Sequence, residues 1–196
     1  MSKSVDQKKY FSKNPIKKFL IKKFLTKINN VFKKIDAKNI LEAGCGDGYI
    51  IEYLNNNSAK KYAISGFDIS DEKITHAAKI NKHAHLYKDN IYNTSQKSDS
   101  FDLVLCLEVL EHLQNPEKAL LELKRITKKY CLISVPHEPF FSLGNFMFGK
   151  NIRKFGRDKE HINFWNKKQV VNLINNYFHI RSIDTSFPWI IILAEK

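Results

Sequence analysis

Cysteine is scarce in this chain, and so is any long apolar run. The only cysteines among 196 residues are Cys45, Cys106 and Cys131. An odd number without paired spacing excludes a disulfide framework, and no two are spaced as metal ligands, so no metal is expected. The longest unbroken apolar stretch, 187–194, is too short to span a bilayer. The first residues lack the apolar segment of a secretory signal, because lysines recur there every few positions. There is no internal repeat and no low-complexity linker. What remains is a soluble, reduced, cytoplasmic chain of one ordinary domain, whose 43% apolar content supplies a sizeable core.

Arginine is scarce too, since 29 of the 33 basic residues are lysine. Acids are nearly missing from residues 1–40, which hold twelve lysines against Asp6 and Asp36, while the rest of the chain is close to neutral. A basic arm on a near-neutral body suggests an anionic partner, either a membrane surface or nucleic acid. A solvated helical face and AT-rich coding explain the same lysines. Nucleic-acid readers lean harder on arginine, which disfavours that partner.

Asn14-Pro15 reads as a helix start. Ile16, Phe19, Leu20, Phe24, Ile28, Val31, Phe32 and Ile35 follow at helical spacing, with Lys18, Lys22 and Lys33 opposite. The pattern is imperfect. Lys17 and Lys27 fall within or near the apolar arc, and Asn29-Asn30 is a candidate break into two helices. Residues 1–38 are therefore expected to form a basic amphipathic extension. Its apolar face needs cover from the domain or from an anionic bilayer interface.

From residue 39 onward strands and helices alternate. Strands are expected at 39–43, 61–67, 85–87, 101–107, 130–135, 179–183 and 189–194, and helices at 49–55, 71–81, 116–127 and 166–177. This rhythm predicts a doubly wound α/β sheet with helices on both faces, whose ligands bind at the carboxyl ends of the strands. The first strand runs into Glu42-Ala43-Gly44-Cys45-Gly46-Asp47-Gly48, and Asp68 closes the second strand twenty residues later. Glycines at alternate positions allow close approach of a ligand, and an acid at that distance can accept from both ribose hydroxyls. The spacing is GxGxG, not the dinucleotide GxGxxG. Carboxylates at Glu42 and Asp47 would repel a pyrophosphate and suit a cofactor carrying an ammonium and a sulfonium.

At these residues the chain resembles class I S-adenosylmethionine-dependent methyltransferases, whose first motif is commonly E/D-x-G-x-G-x-G. The similarity continues through Gly66-Phe67-Asp68-Ile69-Ser70, Lys88-Asp89-Asn90-Ile91, and Ser100-Phe101-Asp102 into Leu107-Glu108-Val109-Leu110-Glu111-His112-Leu113. It ends at Ser134-Val135-Pro136. It covers roughly residues 39–136 and is similar to the subgroup containing quinone-biosynthesis methyltransferases. The turn before the fifth strand departs from the usual Lys-Pro-Gly-Gly.

The resemblance implies a Rossmann-like, mostly parallel seven-stranded sheet over residues 39–196, with an antiparallel final hairpin. It also implies S-adenosylmethionine as cofactor. Gly44, Cys45, Gly46 and Gly48 would line the methionine part, and Glu42 would face its ammonium. Asp68 would take the ribose and Ile69 would pack on adenine. Asp89 and Asn90 would hold the adenine edge, and Glu108 would sit near the methionine moiety and the substrate.

The segment 137–160 shows few helix or strand signals and mixes aromatics with glycines. It reads as a lid over an apolar or flat acceptor, or else as a hairpin packed on the core. Candidate acceptor contacts are Glu138, Phe141, Arg157 and Trp165. His112, His137 and His161 are the candidate general bases, needed if a hydroxyl or protonated amine is methylated. No Asn-Pro-Pro-Tyr-type tetrapeptide follows the fourth strand, and no cysteine pair suits covalent base methylation. The expectation is therefore methyl transfer to a small-molecule or lipid-linked acceptor at oxygen, with peripheral contact to anionic membrane through residues 1–38. An RNA methyltransferase and a non-catalytic adaptor on the same fold are the alternatives, with a NAD-dependent enzyme a distant third.

Overall fold

A computed structural model describes residues 10, 12–57, 62–147, 149 and 151–196. Expectations on residues 1–9, on the strand start at Lys61 and on Phe148 lie outside the described residues. Seven strands form one sheet: β1 (Asn39–Ala43), β2 (Ala63–Asp68), β3 (His85–Lys88), β4 (Phe101–Leu107), β5 (Thr127–Pro136), β6 (His179–Ser186) and β7 (Trp189–Glu195). Their spatial order is β3-β2-β1-β4-β5-β7-β6. The first five strands pair in parallel, and β7 lies antiparallel to both neighbours. The helices are α1 (Pro15–Phe32), α2 (Tyr49–Asn57), α3 (Asp71–Ile80), α4 (Pro116–Ile126), α5 (Phe140–Met147) and α6 (Lys167–Asn175).

The central strands read as apolar runs because both faces of the sheet are covered. Alternate side chains feed two cores. Leu41, Val104, Cys106 and Ile133 pack with α4 and α6, whereas Ile40, Leu103, Leu105 and Leu132 pack with α1 and α2. All three cysteines are free and buried. The chain passes from β1 to β2 on one side and continues to β4 on the other. The carboxyl ends of β1 and β4 therefore diverge into a crevice, the usual ligand position in such sheets.

Asn14 caps α1 by accepting from the Ile16 and Lys17 N–H groups. The helix does not break at Asn29-Asn30. It runs through them because Ile28, Val31 and Phe32 are buried against the sheet, and that burial outweighs the weak local preference of two asparagines. Phe24 is fully buried, its ring 5.0 Å from that of Trp189, and Lys27 pairs with Asp184 at 2.9 Å. α1 is thus a layer of the domain, while Ile16 and Phe19 in its first turns stay exposed.

Two further expectations are corrected. β5 begins at Thr127, directly after α4, rather than at residue 130. The segment after β5 is no signal-poor loop. It contains α5 and a short turn at Ile152–Lys154, folded back so that Gly156 (φ +79°) meets the Ser142 carbonyl, where a Cβ would lie at 1.9 Å. Asn145 Nδ2 donates to the Gly156 carbonyl at 3.1 Å, closing this hairpin.

The loop after β3 is clamped to α4 by a buried acid. Glu122 Oε1 accepts from the Thr94 N–H and hydroxyl, and the Arg125 guanidinium grips both carboxylate oxygens. Arg125 beside it, helped by Thr94, holds the Glu122 pKa down at about 2 against the opposing effect of burial. A depressed carboxyl contributes stability above its unfolded value near 4.5 and loses it as pH falls toward 2. Glu122→Gln should therefore cost about 2 kcal/mol at neutral pH. In urea melts the gap from wild type should narrow between pH 4.5 and about 2.

Candidate functional site

A cavity of about 770 Å³ opens at the carboxyl ends of β1, β2 and β4. That volume is in the range of small-molecule sites, about 300–1,000 Å³. Its floor is the turn from β1 into α2. Gly44 and Gly48 have φ of +74° and +79°, and a Cβ on Gly44 would lie 2.7 Å from Val109 Cγ2. The turn spends its own donors inside the chain. Gly44 and Cys45 N–H both donate to the Phe67 carbonyl at 2.8 Å, Gly46 N–H donates to Asp68 Oδ2 at 3.0 Å, and Gly48 N–H donates to the Cys45 carbonyl. A phosphate-binding loop aims such groups at its ligand. Here they tie β1 to β2, and the cavity wall beside them carries carboxylates instead.

Those carboxylates come from four strand ends. Glu42 sits on β1, nearly fully buried, and lines the cavity. Asp68 at the tip of β2 is 8% exposed and accepts from Gly46 and from the Ser70 N–H at 2.9 Å. Each of its oxygens keeps a second lone pair, free to meet a pair of hydroxyls. Ile69 follows, 64% exposed on the cavity wall, where it offers an apolar face to a flat ring. Asp89 and Asn90 line the same end. Asp89 also organises its own loop, accepting from the Asn90 N–H, the Ser95 N–H and the Ser95 hydroxyl. Glu108, just past β4, has φ +60°, accepts from the Ser134 hydroxyl at 2.9 Å and also accepts from the Trp189 indole N–H. Cys45 lines the floor too, its thiol pushed well above the ordinary range by burial and by Glu42 and Asp68. It is therefore a packing group and no nucleophile.

This donor set fits a cofactor of adenosine and methionine. It offers carboxylates to a diol, an ammonium and a sulfonium, and an aliphatic face to adenine.

The other end of the cavity is aromatic and basic. His112 and His161 both line it, their rings 4.9 Å apart and T-shaped, and His161 lies 5.3 Å from Phe141. His112 Nδ1 is 2.9 Å from the Glu160 carbonyl, which can only accept. That bond places the ring proton on Nδ1 in the neutral form and leaves Nε2 as the acceptor, 3.9 Å from Glu111 Oε1. Glu111 is 1% exposed. One ligand atom each from Glu111, His112 and His161 lies within 4.8 Å of the others, a spacing that a divalent cation could bridge.

Five expected site residues lie outside the cavity lining. The His137 ring packs on Phe140 at 4.9 Å, while the His137 backbone N–H donates to the Pro188 carbonyl; burial and nearby Lys167 lower the pKa of the ring. Glu138 accepts from the Ser142 N–H and hydroxyl, so it fastens the first turn of α5. The Arg157 guanidinium lies 5.0 Å over the Phe164 ring on the surface. Trp165 packs on the core beneath α6. Gly48 serves the turn through its fit against Ala77 and Asn81 rather than the cavity surface.

Several lining residues were not singled out from the sequence. Lys17, Leu20 and Ile21 come from α1, Tyr10 from the chain ahead of it, and Phe187, Pro188 and Trp189 from the β6–β7 turn and the start of β7. One signal was visible. Lys17 and Lys27 interrupt the apolar arc of α1, and both face partners, Lys17 at the cavity and Lys27 at Asp184.

Asp68→Asn keeps the shape and one acceptor oxygen while removing the charge. Cofactor affinity should drop at least about tenfold, at about 1.5–3 kcal/mol per bond to a charged group. Calorimetric titration of folded protein reads this directly, and unchanged affinity would remove Asp68 from the ribose.

A family model described as a methyltransferase domain matches residues 16–177. Ubiquinone biosynthesis O-methyltransferase of Rickettsia canadensis is 31% identical over 110 residues, covering 56% of this chain and 45% of that protein. The Rickettsia bellii protein of the same name is 30% identical over 118 residues, covering 59% and 48%. The chain thus spans about half the length of the curated relatives it matches. Among solved structures, a Pyrococcus horikoshii protein superposes with TM-score 0.73 at 16% identity, covering 97% of this chain and 96% of that one. Magnesium protoporphyrin IX methyltransferase from Synechocystis, solved with bound S-adenosylhomocysteine, superposes with TM-score 0.69 at 16% identity, covering 93% and 88%. These likenesses establish the fold.

Proposed function

The chain belongs to the class I S-adenosylmethionine-dependent methyltransferase family, and we propose that it moves a methyl group to an oxygen of a small-molecule or lipid-linked acceptor. The observation that carries this reading is one cavity with two chemically distinct ends. One end is lined with carboxylates for the cofactor, and the other holds two imidazoles and a buried acid among aromatics. The relatives' name, ubiquinone biosynthesis O-methyltransferase, supports oxygen as the methylated atom.

When bound, S-adenosylmethionine supplies an activated methyl group on a sulfonium. The residues of the chain then have three tasks: to hold the acceptor hydroxyl in line with that methyl, to exclude water, and to take the proton the hydroxyl loses. Phe141, Trp189 and the apolar residues of α1 form the dry wall against which a flat acceptor would lie. His112 is suited to receive the proton at Nε2, because the Glu160 carbonyl keeps Nδ1 protonated and Glu111 stabilises the resulting imidazolium. His161 beside it is suited to orient the hydroxyl.

We place the chain in the cytoplasm, resting peripherally on anionic membrane. Ile16 and Phe19 on α1 and Leu143, Phe146 and Met147 on α5 are exposed, and lysines ring the first of these. Apolar side chains amid lysines suit the interface of an anionic bilayer, where each cation adds about 1 kcal/mol. Full-length protein should co-sediment with anionic vesicles and not neutral ones, and the bound fraction should fall as salt rises. Indifference to anionic vesicles at low salt would leave the lysines as a solvated face. A gel shift with bulk RNA that weakens steeply with salt would instead favour the nucleic-acid reading.

The chemistry has its own test. With a lipid extract as acceptor source and radiolabelled cofactor, label should enter an organic-soluble product through an ether oxygen. His112→Ala should cut the rate by about 10²-fold or more, as loss of a general base does. Cofactor affinity, measured by calorimetry, should stay within about twofold, since the ring lies beyond the groups that bind a charged ligand. Label on nitrogen would overturn the oxygen assignment.

A further inference from the structure

We propose that Trp189 is a positioning residue for Glu108, and that α1 sets the indole through Phe24, so that the packing of the N-terminal helix governs a charge at the sulfonium. The inference rests on the cofactor reading above and deepens it.

Glu108 is held unusually firmly for a residue just past a strand. Its N–H donates to the Ser134 carbonyl at 3.1 Å, its φ of +60° falls in the left-handed region that non-glycine residues seldom adopt, and both carboxylate oxygens accept bonds. One bond comes from the Ser134 hydroxyl on β5 at 2.9 Å, and the other from the Trp189 indole N–H at the start of β7. A carboxylate held by two donors on two different strands is fixed in orientation, and Glu108 lines the same cavity as Gly44, whose neighbour is the adjoining Val109. An acid pinned there would meet the charged centre of a bound cofactor in one fixed orientation instead of sampling the opening.

The second link is packing. An indole N–H can aim at Glu108 only while the ring stays in its plane. Trp189 is 5% exposed, and Phe24 of α1 lies against it at 5.0 Å with a 45° tilt. On the other side Phe141 of α5 approaches at 6.5 Å, edge to face. Phe24 is fully buried, so the seat of the indole is as rigid as the docking of α1. Deletion of the indole N–H should therefore act on the charge of the ligand more than on the fit of its neutral parts. A merely structural tryptophan would not show that pattern.

S-adenosylmethionine and S-adenosylhomocysteine differ by the methyl and its positive sulfur, so the ratio of their affinities reads the field at that atom. The test is calorimetric titration of both ligands into full-length wild type, Trp189→Phe, Glu108→Gln, the double variant and Phe24→Leu. Trp189→Phe keeps the ring contacts and should weaken S-adenosylmethionine about fivefold, the scale of one bond to a charged group, while S-adenosylhomocysteine changes less than about twofold. Glu108→Gln should shift the ratio at least as far, and the double variant no further than Glu108→Gln alone. Phe24→Leu should move the ratio the same way by less. Equal weakening of both ligands in Trp189→Phe, a wild-type ratio in either single variant, or additive effects in the double variant would each overturn the proposal. Wild type that binds neither ligand would overturn the cofactor reading itself, a result distinct from all of these.

Discussion

The geometry of the site depends on how the first turn is tied to the second strand. The Phe67 carbonyl accepts from both Gly44 and Cys45, and Asp68 accepts from Gly46. Those three bonds hold the glycine turn flat against the end of β2, so that the acid and the floor of the cavity move as one unit. They also decide what can bind. The N–H groups of Gly44, Cys45 and Gly46 are spent on the neighbouring strand, and the carboxylates around them favour a cation. The same bonds therefore fix the two features, floor and acid, that an adenosine-methionine cofactor needs.

A second constraint comes from α1. An open doubly wound sheet needs cover on both faces, and α4 and α6 cover only one. Phe24, Ile28 and Phe32 complete the other face beside α2, and the same helix brings Lys17, Leu20 and Ile21 to the cavity. The helix thus serves core and site at once. Truncating Phe24 in such a position removes about 3–5 kcal/mol of packing, so the acceptor wall cannot be loosened without loosening the domain.

How much of this was legible follows from the range of the interactions. The parallel strands were visible because each is a short apolar run between turn residues. The glycine turn and Asp68 were visible because their spacing is fixed by one strand, one helix and the next strand. Asn29-Asn30 misled because a local preference was read without the burial of Ile28 and Phe32 around it. The segment after β5 misled in the opposite direction. Its helix is fastened by Glu138 onto Ser142 and closed by Asn145 onto Gly156, contacts that no periodicity announces. The acceptor end was the least legible part. His112 and His161 meet only because the Ile162 and Asn163 N–H groups donate to the Glu111 carbonyl across some fifty residues of chain. Trp189 reaches Glu108 from the far end of the sequence. His137 and Glu138 looked equally suited, yet the first supports Phe140 and the second caps a helix.

Charge is also partitioned in a way that composition hides. The chain carries a formal +13, yet Glu42, Asp47, Asp68, Asp89 and Glu108 all line the cavity, and the lysines of α1 mostly face outward. Exposed like charges in water repel only weakly and are screened within about 8 Å at physiological salt, so an outward lysine rim costs the buried carboxylates little. Inside the cavity the dielectric is lower and the acids act at short range. The two populations are therefore electrostatically separate, so the interior carboxylates can select a ligand with little interference from the rim. Lys17 is where the two meet, a cation of α1 that lines the cavity. Its placement brings the helix that carries the outward lysines to the cavity wall as well, and it accounts for the one lysine that interrupts the apolar arc at the start of the helix.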